Sequence, residues 1–193
     1  MTEPVTPQAI TRFWLEDVGE KGWYTRSDAL DETIRQRFRP TWDHAAELAP
    51  GWADTAQGAL AALILTDQFP RNMFRDDPRA FATDPLARDL ARAAIDRGFH
   101  LQIDPPARQF VFMPFEHSED LADQDRAMAL FAEFMPGESL LHARLHRDTI
   151  AKFGRFPWRN AALNRQPTAA ETRVMQAGGY GALVSGKLSL VDV

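Results

Sequence analysis

Cysteine is absent from the 193 residues. Its absence excludes disulfides, thiolate metal sites and a cysteine nucleophile, and makes a reducing cytoplasm the expected compartment. Long apolar runs are missing too. Nothing reaches the roughly 18 residues that a membrane helix needs, and the opening "MTEPVTPQAITRFWLED" lacks the basic start and apolar core of a secretory leader. No membrane partner is expected. Basic charge is not in excess either: the net charge is -5 and the isoelectric point about 5.5. A nucleic-acid partner, whose phosphates call for a surplus of Lys and Arg, is therefore not expected. Phosphate-loop, G-x-G-x-x-G and G-x-S-x-G patterns do not occur. Nucleotide hydrolysis, dinucleotide redox chemistry and the serine-hydrolase elbow lose their usual signs, and no cofactor is assigned.

Apolar residues at helical spacing occur nearly throughout, while strand-like alternation is weak and confined to the last dozen residues, so the expected class is all-α. Thr6 and Pro7 open a helix that Gly19 stops. Ser27 caps a second ending before Pro40, and Thr41 opens a third before Pro50 and Gly51. A long helix follows through "DTAQGALAALILTDQF", and Asp84-Pro85 opens one that Gly98 closes. Pro105-Pro106 starts "ARQFVFM", which Pro114 kinks or ends, and Ser118 caps the next. Pro136-Gly137 precedes "ESLLHARLHRDTIAKFG", and "TAAE" at 168 to 171 has the capping-box form ahead of Gly178-Gly179. The expected organisation is one domain over 1–180, built of stacked antiparallel hairpins, with a C-terminal tail over 181–193 as a short strand or without regular structure.

Function is sought where a buried stripe turns polar. Leu60, Leu63 and Ile64 mark a face that reaches Asp67 and Gln68, and a buried carboxylate there calls for a partner, the nearest cation in sequence being Arg71. In "QFVFMPFEHSED", Glu116 and His117 point toward packed aromatics, a pairing suited to proton transfer or to a structured core, while Glu119 and Asp120 suit a helix start. In "SLLHARLHRDTIAKFG", His142, His146, Thr149, Ile150 and Phe153 share one stripe. H-x-x-x-H is also metal-ligand spacing, which Glu116 or His117 could complete, but it lacks the Glu of H-E-x-x-H and no metal is assigned.

Two stretches echo each other: "DQFPRN" and "GRFPWRN". Pro70 and Pro157 each set a bend, and Asn suits turns. Turn chemistry accounts for the Phe-Pro step. Arg71, Arg75, Arg155 and Arg159 also make two short cationic segments, and a guanidinium fork recognises carboxylate or phosphate. An anion site follows if the two corners meet.

The segments "ALILTDQFPRNMFR", "RAFATDPLA", "FMPFEHSEDLADQDRAMALF", "HRDTIAKFGRFPWRN" and "AGGYG", in this order, resemble the hallmark stretches of the bacterial domain-of-unknown-function family 924. That resemblance covers nearly the whole chain and implies an all-helical bundle similar to tetratricopeptide-like superhelices, with no established reaction. Its hallmark positions fall on Asp67, Gln68, Arg71, Asn72, Glu116, His117, Ser118, Glu119, His146, Arg147, Gly154, Arg155, Pro157, Arg159 and Asn160. Family members commonly read Phe-Gly-Arg-Phe-Pro-His-Arg-Asn, and this chain has Trp158 in place of that histidine.

Two functional expectations result. The first is a pocket for a small anionic metabolite, a carboxylate or phosphate. Glu116, His117 and His146 do acid–base work there, and Asp67, Gln68, Arg71, Asn72, Arg155, Trp158, Arg159 and Asn160 hold the ligand. The second is a tetratricopeptide-like module that offers a groove to a peptide or protein partner, without catalysis.

Overall fold

The computed structural model describes residues 5–193; residues 1–4, the start of the segment in which no leader pattern is read, lie outside it. The described residues form helices and turns and no strand, an all-α fold. Among them no helix is long and apolar enough to cross a membrane. The chain divides into two compact units: unit 1 holds the chain up to Arg75 together with Arg79–Pro114, and unit 2 holds Asp76–Pro78 with Phe115–Val193.

Unit 1 begins with α1 (Pro7–Arg12), where the Thr6 hydroxyl accepts from the Ala9 amide at 3.3 Å and Pro7 occupies the first position, where no donor is needed. The helix runs on as a wide π-helical turn over Phe13–Val18, until Gly19 at φ 65° redirects it into α2 (Gly19–Trp23). Next come α3 (Asp28–Trp42), α4 (Ala45–Trp52) and α5 (Ala56–Leu63). α5 is buried on nearly every side, the mark of a central helix, and α1, α4 and α7 (Asp84–Asp96) pack on it. Gly58 allows the close approach of α4: a Cβ there would lie 1.9 Å from the Trp52 carbonyl oxygen. α5 continues as a second π-helical stretch, Ile64–Gln68, into α6 (Phe69–Met73). Gly98, at φ 71°, closes α7, and α8 (Gln109–Glu116) carries the chain toward unit 2. The core is aromatic, with Phe38 and Phe69 at 4.6 Å between ring centroids and Trp14 edge-on to Phe69 at 5.6 Å. Each fully buried ring contributes about 1.5–3 kcal/mol of transfer free energy.

Two helix ends differ from the sequence reading. α3 does not stop before Pro40 but continues to Trp42. A proline that late removes only one intrahelical bond, and burial of Phe38 and Thr41 holds the last turn in place. Thr41 opens no helix; its hydroxyl accepts from the Val5 amide at 3.0 Å, and α4 runs through Pro50 to Trp52.

Unit 2 is built on α9 (Leu121–Phe134) and α10 (Glu138–Phe153), a hairpin closed by Pro136 and by Gly137 at φ 111°. Asp120, not Ser118, caps α9: its carboxylate accepts from the amides of Ala122 and Asp123 at 2.8 and 3.3 Å, while the Ser118 hydroxyl accepts from the Asp120 amide at 3.2 Å. Pro114 lies inside α8 and neither ends it nor precludes its last turn through Glu116. After Gly154, at φ 67°, a 3-10 turn over Pro157–Arg159 forms the corner, and α11 (Ala169–Gln176) opens with the full capping box of Thr168 and Glu171. The weak alternation of residues 181–193 makes no strand; α12 (Tyr180–Val184) and a 3-10 turn over Leu190–Asp192 occupy this region.

Candidate functional site

The two echoing corners belong to different units, and each is internally bonded. In unit 1 the π-helical turn delivers Asp67 and Gln68 into the core, 1 % and 6 % exposed, where Gln68 Nε2 donates to Asp67 Oδ2 at 2.6 Å. Arg71 grips Asp84 with both terminal nitrogens, at 3.0 and 3.1 Å, and donates to the Asp67 carbonyl oxygen at 2.6 Å. Burial pushes the Arg71 guanidinium down, but Asp67 and Asp84 more than reverse this and hold it charged. Asn72 donates to Asp31 at 2.8 Å, and the same carboxylate is forked by Arg75. The donors assigned by sequence to an exogenous anion are thus engaged by the protein's own carboxylates.

Unit 2 brings together residues from α8, the turn after it, α10, the corner and α12. Glu116 ends α8 in the core and His146 lies on the inward side of α10. His146 Nδ1 is 2.9 Å from Glu116 Oε1 and 3.0 Å from the His142 carbonyl oxygen. Neither an ionised carboxylate nor a carbonyl can donate, so Nδ1 carries the hydrogen in both contacts and Nε2 takes no part in them. Burial pushes the Glu116 carboxyl up, yet attraction and the hydrogen bond from His146, reinforced by the charges of His117 and His142, hold it below its ordinary range. The His146 ring is surrounded by aromatics: Tyr180 at 4.7 Å, Phe156 at 5.3 Å, Trp158 at 6.0 Å and His117 at 6.4 Å between centroids. It remains 13 % exposed, enough for solvent to reach one edge.

The remaining polar residues fix the corner behind that ring. Arg155 forks Glu171 at 2.6 and 2.8 Å. That contact, against burial and with help from the Thr168 amide and the Asn160 side chain, lowers the Glu171 carboxyl to about 2. Arg159 donates to the His117 carbonyl oxygen at 2.8 Å and lies over the Phe156 ring at 4.6 Å. Arg165 forks Glu119 at 2.6 and 3.0 Å and bonds Asn160 Oδ1 at 2.9 Å, while Glu119 Oε1 also accepts from the Phe156 amide at 2.8 Å. Phe156 and Trp158 are consequently held stacked at 5.0 Å. Glu119, read as helix-start electrostatics, instead clamps the corner.

Of the residues expected to share a site, unit 2 unites Glu116, His117, His146, Trp158 and Arg159, with Arg155 and Asn160 behind them; Asp67, Gln68, Arg71 and Asn72 lie in unit 1. Among the described residues no group of three or more His, Asp or Glu could hold a metal ion. Tyr180, Gln124, Arg165 and Glu171 were missed. Gln124 had a signal, since it shares a buried stripe with Ala127 and Phe131; its amide donates to the carbonyl oxygens of Glu116 and Ser118, each at 2.6 Å, and so shapes the turn carrying His117. Tyr180 had only its place beside the paired glycines.

The family described as "Bacterial protein of unknown function (DUF924)" matches residues 10–179. A solved structure of a protein of unknown function from Agrobacterium tumefaciens is similar, with 40 % identity and a TM-score of 0.85 over 89 % of this chain and 97 % of that one. No curated protein matches.

Proposed function

We propose a function from the premise that this chain belongs to DUF924, a bacterial family of proteins of unknown function: unit 2 binds a small anion, a carboxylate or phosphate, and His146 exchanges a proton with it. The observation that carries this reading is the Glu116–His146 pair, 2.9 Å apart, with the second ring nitrogen outside that contact and an aromatic surround about the ring. A buried carboxylate on one imidazole nitrogen fixes the ring and stabilises the cation formed when the other nitrogen takes a proton. Anion binding is favoured by the donor count. Glu116 is one negative group under the influence of three imidazoles, so the donors here outnumber the carboxylates. Trp158 and Tyr180 supply walls for the ligand's carbon skeleton, while Arg155 and Arg159 position the corner and do not themselves capture the anion.

The alternative peptide-groove reading is less favoured, because the hallmark residues Asp67, Gln68, Asn72, Glu116, Ser118 and Asn160 are buried. Thermal-shift measurements with a panel of small carboxylates and phosphate esters test the proposal. Ligands should raise the melting temperature of wild type by mass action and lose that effect in His146→Ala. An equal response in the variant, or none in either protein, overturns it.

A further inference from the structure

The chain has two tyrosines, and each hydroxyl lies 2.5 Å from a polar side chain. The partners differ in kind. Tyr24 meets Gln109 Oε1, which can only accept, so the phenol is the donor in that bond. Tyr180 meets His142 Nδ1, which accepts when it bears a lone pair and donates when it bears a hydrogen. Tyr180 opens α12 after Gly178 and Gly179, at φ 116° and 61°, which turn the chain back so that α12 packs on α10. Its ring lies 4.7 Å from that of His146 and 5.2 Å from that of Trp158.

Resting on the reading of His146 as the acid–base group of an anion site, we infer that Tyr180 is a ligand-contacting residue of that site and His142 its protonation switch. With a bare Nδ1 on His142, the Tyr180 hydrogen is used inside the protein. When His142 takes up a proton, Nδ1 donates to the phenol oxygen and the phenol hydrogen is released toward an oxyanion beside His146. One proton moves from solvent to His142; none leaves Tyr180. The favoured ligand is an oxyanion able to accept two bonds, from Tyr180 Oη and from protonated His146 Nε2. Glu116, at the end of α8, interacts electrostatically with His142 as it does with His146 and His117, while Glu171 on α11 is taken by Arg155. Binding should therefore be tighter when His142 is protonated and weaken as that proton is lost.

The presence of only two tyrosines makes the test direct. In protein labelled with 13C at the tyrosine Cζ, the Tyr180 signal should inflect as His142 gains a proton, while Tyr24, bonded to an amide, does not follow it and serves as the internal reference. His142→Gln keeps a bonding partner that cannot titrate and should abolish the inflection. A Tyr180 signal that follows Tyr24 overturns the switch. Inorganic sulfate, whose charge stays constant, probes the ligand contact. Tyr180→Phe should weaken its binding about tenfold at acidic pH, the effect of one charge-assisted hydrogen bond, and leave binding at alkaline pH unchanged. Equal sulfate affinities for the two proteins at acidic pH would overturn the contact. If the inflection is present and sulfate moves neither tyrosine nor any histidine signal, the anion reading of the site fails and the switch stands as a property of the free protein.

Discussion

The two Phe-Pro corners use the same side chains for different ends. In unit 1, Arg71 and Arg75 each meet a buried carboxylate, and every polar group of "DQFPRN" serves packing. In unit 2, Arg155 and Arg159 are likewise engaged, but they anchor a turn whose aromatic face rests against the ring of His146. The lesson is that an arginine in a motif is a poor marker of ligand capture until its fork is accounted for. What separates the corners is an imidazole whose Nδ1 is fixed by Glu116 and whose Nε2 lies outside that contact.

That contrast can be broken most severely at Arg71. Arg71→Ala removes the guanidinium that both buried carboxylates, Asp67 and Asp84, contact and should cost about 3–5 kcal/mol in denaturant unfolding, with no change in the anion response of His146. A loss of that response with little loss of stability would make the first corner the functional one. Glu171 gives an intermediate effect, read through pH. Its carboxyl lies near 2 when folded, below its ordinary value of 4.5, so it stabilises the fold fully above that ordinary value and loses this contribution as pH falls toward 2. Glu171→Gln should lower the melting temperature at neutral pH and bring it closer to that of wild type in acid. Parallel curves would show that the pair contributes nothing. Arg147, another hallmark position, sets the lower limit: its contacts with Asp125 and Asp148 lie at the surface, and Arg147→Ala should leave both melting temperature and sulfate binding unchanged within error.

Helix content, most starts and most stops were readable because they depend on neighbours in sequence. Thr6, Ser27, Asp84, Gly98, Gly154 and the box at Thr168 act within one turn of themselves. Pro40, Pro50 and Pro114 misled, since a helix tolerates one lost bond when tertiary burial compensates, and burial is not local. For the site, the rule of misplaced polarity found Glu116 and His146. It could not tell that Asp67 and His146 fall in different units, nor that Arg155 would meet Glu171, because partners many residues apart are chosen by the fold. Tyr180 escaped for the opposite reason: half-buried at the start of a five-residue helix, it violates no pattern.

Glu171 holds two ends of one excursion of the chain. Its carboxylate accepts from the amide of Thr168, starting α11, and from the fork of Arg155, ending the bend after Gly154. The intervening segment is thereby a closed loop, cross-tied within by Arg165 to Asn160 and to the Phe156 carbonyl oxygen, so the first turn of α11 and the corner should unfasten in one event and share one rate of amide exchange. Any ligand that steadies Trp158 would then be felt at the start of α11, through a clasp with no atom in contact with it.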